Sequence, residues 1–299
     1  MPYLGELLAL GAGLSWAIGV VLFKKSENQI SPISLNLFKN ILAIGLLMVP
    51  LTLTHTAWIP ELSQQEWIRL FLSGVIGISV ADTFFFIALK KLGASLCAIV
   101  DTTYAPFVLI QCYFILGEPI GWPLLLGAAL IISAMLVGTV GQNHGNRTRS
   151  NVIQGMVIGI VGIALMSLSI VLIKPLLDKL PALWSANFRL CAGTIGLLPI
   201  VLFHPQRTQI LAVFRPSRSW IYAVPASFIG TALAMLLWIG GMKHTEVSRA
   251  ALLNQLSTIF IFILAVFFLK EPLTRRRTLA IALAFGGAAL VLWGKHWPV

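Results

Sequence analysis

The chain has 299 residues, of which 58% are hydrophobic and only 10% charged. A soluble domain is typically about a quarter charged, so this composition excludes an ordinary soluble enzyme or binding module. The formal net charge of +11 does not point to nucleic acid. The basic residues are spread over short loops, only Arg275, Arg276 and Arg277 are clustered, and cations flanking apolar spans serve orientation and lipid headgroups.

Apolar stretches of about 20 residues, enough to cross a hydrocarbon core of roughly 30 Å, recur near 4–23, 33–54, 67–89, 96–116, 122–141, 153–173, 182–203, 219–241, 248–269 and 276–294. In lipid the backbone must be satisfied within each segment, which requires helices here, because the runs lack the alternation of a membrane barrel. No Lys or Arg precedes the first run and no small-residue cleavage site follows it, so it is read as a span rather than a leader. It holds Trp16. The second carries Lys39, the third Asp82, and the fourth Asp101, Thr103, Tyr104 and Pro106. With a turn near 92–94, the two aspartates stand about 12–15 Å along their helices from that turn, at similar depth. Gly117-Glu118-Pro119 opens a tight turn, since proline ends one helix and is tolerated in the first turn of the next. The fifth span is rich in Gly and Ala. Residues 142–152 link it to the sixth. The seventh carries Asn187 and Arg189, the ninth Asn254 and Gln255, and Lys270-Glu271-Pro272 repeats the earlier turn before a tenth span with Gly286, Gly287, Ala288 and Ala289. Small residues permit close helix contact in lipid, which predicts that spans five and ten pack together. Trp58, Trp67, Trp122, Trp184, Trp220, Trp293 and Trp297 lie near span ends, as an interfacial belt places them. Trp16 and Trp238 lie deeper, within reach of a cavity.

The two turns are part of a repeat. At an offset of 153, Trp67 meets Trp220, Gly77 meets Gly230, Lys90 meets Lys243, Asp101 meets Asn254, and Glu118-Pro119 meets Glu271-Pro272. At an offset of 150, Gly5 meets Gly155, Lys24 meets Lys174, Phe38 meets Phe188 and Lys39 meets Arg189. The chain divides into two units, 1–141 and 153–299. Five spans per unit is an odd number, so the second unit enters the membrane upside down relative to the first, an arrangement suited to alternating access around a central site. The predicted fold class is an all-α integral membrane protein of ten transmembrane helices in two inverted five-helix repeats.

Two five-helix halves, each with a fourth helix ending in Gly-Glu-Pro or Lys-Glu-Pro, resemble the EamA family of the drug/metabolite transporter superfamily. Lys39 and Arg189 early in the second helix of each half, Pro106, and the small-residue fifth and tenth helices add to the resemblance, which covers nearly the whole chain. It implies a ten-helix fold with a central cavity and secondary transport of small metabolites, often export. One departure is the loop from His55 to Glu66, basic in many members and here without Lys or Arg. Thirteen of the 21 Lys and Arg fall on the face reached at the end of the first span, six on the face carrying both termini, and Lys39 and Arg189 within spans. The positive-inside rule then places the termini outside, whereas the family resemblance places them in the cytoplasm, and both orientations stay open.

Ionisable residues inside spans are costly and are functional candidates by default. The candidate substrate-binding residues are Trp16, Lys39, Asp82, Asp101, Tyr104, Arg189, Asn254 and Gln255, with Asp82 and Asp101 as candidate proton carriers. Plainer readings stand beside these. Lys39 and Arg189 can snorkel, Asp101 can pair with Lys39 as a structural ion pair, and Asn254 and Gln255 can serve as interhelical glue. Glu118, Pro119, Glu271 and Pro272 are read as structural helix-end and turn residues. Cys97, Cys112 and Cys191 lie inside spans without metal spacing, and no phosphate-binding loop occurs. No cofactor or metal is expected, and energy must come from a gradient. An integral membrane enzyme acting on a lipid or polyprenyl substrate would need clustered aspartates, whereas Asp82 and Asp101 stand on separate spans. A channel would show a filter motif or subunit symmetry, and a scaffold needs no buried charge. The expected protein is a secondary transporter of an amino-acid-like molecule or organic anion, an exporter driven by a proton or solute gradient. It would sit in a bacterial inner membrane or its equivalent, as a monomer or homodimer among lipids.

Overall fold

The computed structural model describes residues 4–26, 30–53, 60–117, 121–139, 148–177, 179–244, 247–254, 256–270 and 274–293. Among them there are ten long helical rods, a short helix Arg207–Leu211 between the seventh and eighth, and no strand. Helix 1 is Leu4–Ser26, helix 2 Pro32–Leu53 and helix 3 Gln64–Leu92. Helix 4 comprises Ala94–Asp101 and Tyr104–Leu116, and helix 5 is Trp122–Thr139. Helix 6 is Arg149–Leu176, helix 7 Ala182–Leu202 and helix 8 Trp220–His244. Helix 9 comprises Val247–Asn254 and Ser257–Leu269, and helix 10 is Arg275–Trp293. Helices 1–4 and 6–8 are long and apolar enough to cross a membrane. Helices 5, 9 and 10 carry shorter apolar stretches, Leu125–Ala134, Ser257–Phe268 and Thr278–Gly287. Gln255, Glu118, Pro119, Glu271 and Pro272 lie outside the described residues.

Local chemistry sets the ends. Ser63 and Glu66 form a reciprocal capping box at the start of helix 3, satisfying two backbone donors that a helix start leaves open. Gly93 and Gly117 end their helices with φ of 80° and 71°, a conformation that favours glycine.

The two halves are interlocked and inverted. Helix 1 packs against helices 8 and 9, and helix 6 against helices 3 and 4. Helix 2 joins helix 8 and helix 7 joins helix 3, so two four-helix groups arise, each built from both halves. Lys24 at the end of helix 1 donates to the Leu89 carbonyl near the end of helix 3, at 3.1 Å. At that same end of helix 3, Lys91 reaches Gln154 at the start of helix 6. Helix 1 therefore runs with helix 3 and helix 6 runs against it, so helices 1 and 6 point in opposite directions, as an odd number of spans per unit requires. Helices 5 and 10 pack on each other within the chain, outside the two groups.

Equivalent contacts recur in both halves. Trp67 meets Phe188 with ring centroids 5.3 Å apart and planes at 56°, and Trp220 meets Phe38 at 5.2 Å and 55°. Trp184 is buried and stacks on Phe188. These three tryptophans thus take part in helix packing near the span ends, while Trp122 is 78% exposed.

Helices 3 and 8 each contain a π-helical stretch at equivalent positions, Val75–Ala81 and Phe228–Leu233. Both stretches lie at helix crossings. Helix 1 crosses helix 8 at Gly19 and Gly230, whose backbones touch so closely that a Cβ on either would collide with the other's Cα. The equivalent crossing sets Ser169 of helix 6 on Gly77 of helix 3.

Helices 4 and 9, expected as continuous spans, are each interrupted among the described residues, at 102–103 and at 256. In helix 4 the junction is a tight turn, with the Thr102 and Thr103 hydroxyls bonding back to the carbonyls of Ile99 and Val100. Pro106, which has no N–H, falls in the first turn of the segment that follows, where proline is tolerated.

Candidate functional site

A cavity of about 120 Å³ lies between the two groups and is lined by helices 1–4 and 6–9. The π stretches contribute Gly77, Ile78, Gly230 and Thr231, and the broken helices contribute Asp101, Tyr104 and Asn254. Interrupted helices around a central site are a recurring feature of secondary transporters. Seven of the candidate substrate-binding residues, Trp16, Lys39, Asp82, Asp101, Tyr104, Arg189 and Asn254, come together in the lining of this one cavity. Trp238 joins them, its ring 6.3 Å from that of Tyr104. Asn187 is buried on helix 7 but lies off the wall.

Lys39 and Arg189 are 1% and 3% exposed. Both face the interior, so neither snorkels. Their surroundings differ. The Lys39 ammonium donates to the Asp82 carboxylate at 2.6 Å and to the Asn40 side-chain oxygen at 2.8 Å, and it lies 5.8 Å from the centre of the Phe86 ring. The pairing with Asp101 considered from the sequence is not formed; Asp82 takes that place. A π turn immediately precedes Asp82, and its extra residue turns the carboxylate away from where a straight α-helix would carry it, towards helix 2.

The ion pair continues into a polar chain. Asn40 donates to Asn36, and Asn36 donates to the Ile78 carbonyl at 2.8 Å and to the Thr83 hydroxyl at 2.9 Å. Asn36 thereby satisfies a carbonyl within the π stretch. Asn36, Asn40 and Thr83 were missed as site residues. The signal was present, since Asn36 and Asn40 stand one helical turn apart beside Lys39 in an otherwise apolar span.

Arg189 has no acidic partner at salt-bridge distance among the described residues. One terminal nitrogen donates to the Ser169 hydroxyl at 3.0 Å, and its Nε, buried, has no hydrogen-bond partner. Asp82 has no acidic counterpart in the second half, where Met235 lines the wall at the equivalent position. Among the described residues, the cavity thus carries one cation matched by an acid and a second cation held by a hydroxyl. Trp16, Trp238, Met166, Met235 and Ile170 supply apolar surface between them. No cluster of three metal-ligating side chains occurs among the described residues.

The chain resembles known proteins along its whole length. Two proteins of Archaeoglobus fulgidus, both described as uncharacterized transporters, are 23% identical over 270 residues and 26% identical over 273 residues. These alignments cover 90% and 89% of this chain and 91% and 89% of the relatives. A crystal structure of a protein 19% identical in sequence superposes with a TM-score of 0.74, covering 97% of both chains, which shows a shared fold. The model of the EamA-like transporter family matches residues 3–139 and again residues 153–293. With both halves matched, the chain belongs to the EamA-like transporter family of the drug/metabolite transporter superfamily.

Proposed function

We propose that this protein is a secondary active transporter, rather than an enzyme, whose central cavity takes a small metabolite bearing a carboxylate or another anionic group. Amino-acid-like zwitterions are the first choice and organic anions the second. The observation that carries this reading is Arg189. A guanidinium held away from water without a carboxylate is costly, and a substrate anion supplies the missing charge during each cycle. Arginine offers two parallel hydrogen bonds to a carboxylate. Lys39, already matched by Asp82, does not need the substrate in this way. Asp101 lines the same cavity at the break of helix 4 and is assigned the coupling role, as a deep acid beside the substrate space. Inverted halves with interrupted helices around a central cavity favour alternating access, and export driven by a proton or solute gradient accords with the family.

The test is transport in proteoliposomes, with substrates first selected by the thermal shift they give the purified protein. Saturable, gradient-dependent uptake of a carboxylate-bearing compound is expected. Arg189→Lys should weaken it about tenfold and Arg189→Gln further, as expected when a bidentate charged contact is degraded and then lost, with membrane insertion unchanged. Wild-type rates in both Lys39→Gln and Arg189→Gln would return the two cations to a structural role, and non-saturable flux would favour a channel.

A further inference from the structure

We infer that Ser169 is the positioning residue that aims Arg189 into the cavity, an inference that rests on the anion-binding reading of Arg189. Ser169 is fully buried on helix 6, at the crossing with the π stretch of helix 3. Its repeat equivalent is Gly19, where the crossing with Gly230 leaves no space even for a Cβ. One half of the molecule thus excludes every side chain at this contact, and the other half places a hydroxyl there. Gly77 makes this possible, because a Cβ on it would collide with the Ser169 hydroxyl and stand 3.2 Å from the Arg189 guanidinium.

The hydrogen bonds of Ser169 fix its polarity. Its hydroxyl donates to the Met166 carbonyl one turn back, at 2.7 Å. With its proton engaged there, the oxygen can act towards Arg189 only as an acceptor, which is what a guanidinium, having donors only, requires. The contact uses one terminal nitrogen, and Arg189 still lines the cavity with its charge unpaired by any acid among the described residues. Lys39 could not be held in this way, since Gly19 has no side chain to offer; it relies on Asp82 and Asn40 instead. Ser169 therefore separates the two halves chemically. It holds a cation without neutralising it, so the charge remains for an anion to meet.

Two measurements on purified protein test this. The first is the rate at which phenylglyoxal modifies Arg189, followed by mass spectrometry, with exposed Arg207 and Arg215 as internal controls. The second is binding of benzoate compared with uncharged benzyl alcohol. In Ser169→Ala, and in Ser169→Gly, which copies the Gly19 crossing, Arg189 should be modified about tenfold faster. Benzoate should bind about tenfold more weakly while benzyl alcohol is unaffected, the size expected for one lost hydrogen bond to a charged group. In an Arg189→Gln background, Ser169→Ala should have no further effect on benzoate. Unchanged modification of Arg189 in both variants overturns the inference, as does an additive loss of benzoate binding in the Arg189→Gln background. Faster modification with no benzoate binding even in the wild type upholds the positioning role and removes the anion-site reading instead.

Discussion

Lys39 and Arg189 occupy equivalent positions, yet among the described residues only Lys39 is paired with an acid. Removing one partner of a buried ion pair typically costs about 3–5 kcal/mol, because the other charge is left uncompensated, whereas replacing both with apolar residues can be neutral. Asp82→Asn should therefore lower the thermal stability of the detergent-solubilised protein by roughly that amount. The double variant Lys39→Met, Asp82→Leu should be more stable than Asp82→Asn alone. A double variant less stable than the single one would show that the polar chain through Asn40 and Asn36 matters more than the charge balance. Asp101→Asn should remove the pH dependence of transport while leaving insertion intact. Unchanged pH profiles in both Asp101→Asn and Asp82→Asn proteins would take the carboxylates out of coupling. The charges themselves were legible in the sequence, because a Lys, an Arg and two Asp inside apolar spans stand out. Their pairing was not, because it depends on a π turn in helix 3 that helical periodicity does not reveal. Ser169 was hidden for a different reason: serine is common in apolar helices, and its meaning appears only when Gly19, its counterpart, is seen at a crossing.

The unusual turns of helices 3, 4, 8 and 9 follow the repeat more faithfully than the residues that signal them. Pro106 marks the break in helix 4, but Ile259 stands at the equivalent position in helix 9, where the chain breaks without proline. Both helices therefore read as continuous spans in the sequence, and proline, tolerated in a first turn, marks only the break in helix 4. Glycine at the crossings is better defined. Gly19→Ala would press a methyl group onto Gly230, and overpacking of this kind costs typically 1–3 kcal/mol. Gly45 on helix 2 is exposed, and a Cβ there would meet nothing within 4 Å. Gly45→Ala should then be neutral or stabilising by up to about 1 kcal/mol, from reduced freedom of the unfolded chain. Thermal unfolding of both variants checks the contrast, and equal effects would mean that the helix 1–helix 8 contact is looser than described.

At the scale of the molecule, parity made the inversion legible: five spans in a unit force it. The exchange of packing partners between halves was not legible, since it is set by contacts between residues far apart in the chain. That exchange places one lysine latch on each face. Lys24 bonds the end of helix 3 from helix 1, and Lys243 of helix 8 bonds the Leu180 carbonyl after helix 6, at 3.0 Å. Each latch ties one four-helix group to the other. Lys24→Ala should raise access to the cavity from the face at the end of helix 1, and Lys243→Ala from the face carrying the termini. A cysteine at Trp16 in an otherwise cysteine-free protein, probed with a membrane-impermeant thiol reagent from either side, reads this out. The same direction of change in both variants would separate the lysines from gating.

The interlocking also sets an order on synthesis. Helix 6 emerges after helices 3 and 4 and can dock against them at once. Helix 1 emerges first, but Gly230, its contact at Gly19, follows roughly 210 positions later. At translation rates of about 5–20 residues per second, that is a wait on the order of ten to forty seconds. For that interval the small-residue face of helix 1, with Ala9, Ala12, Gly13 and Gly19, lacks helices 8 and 9, which cover it in the finished fold. Two helices that end as structural equivalents thus have different histories. Defects introduced on that face of helix 1 should be felt first during membrane insertion, before any effect on the finished transporter.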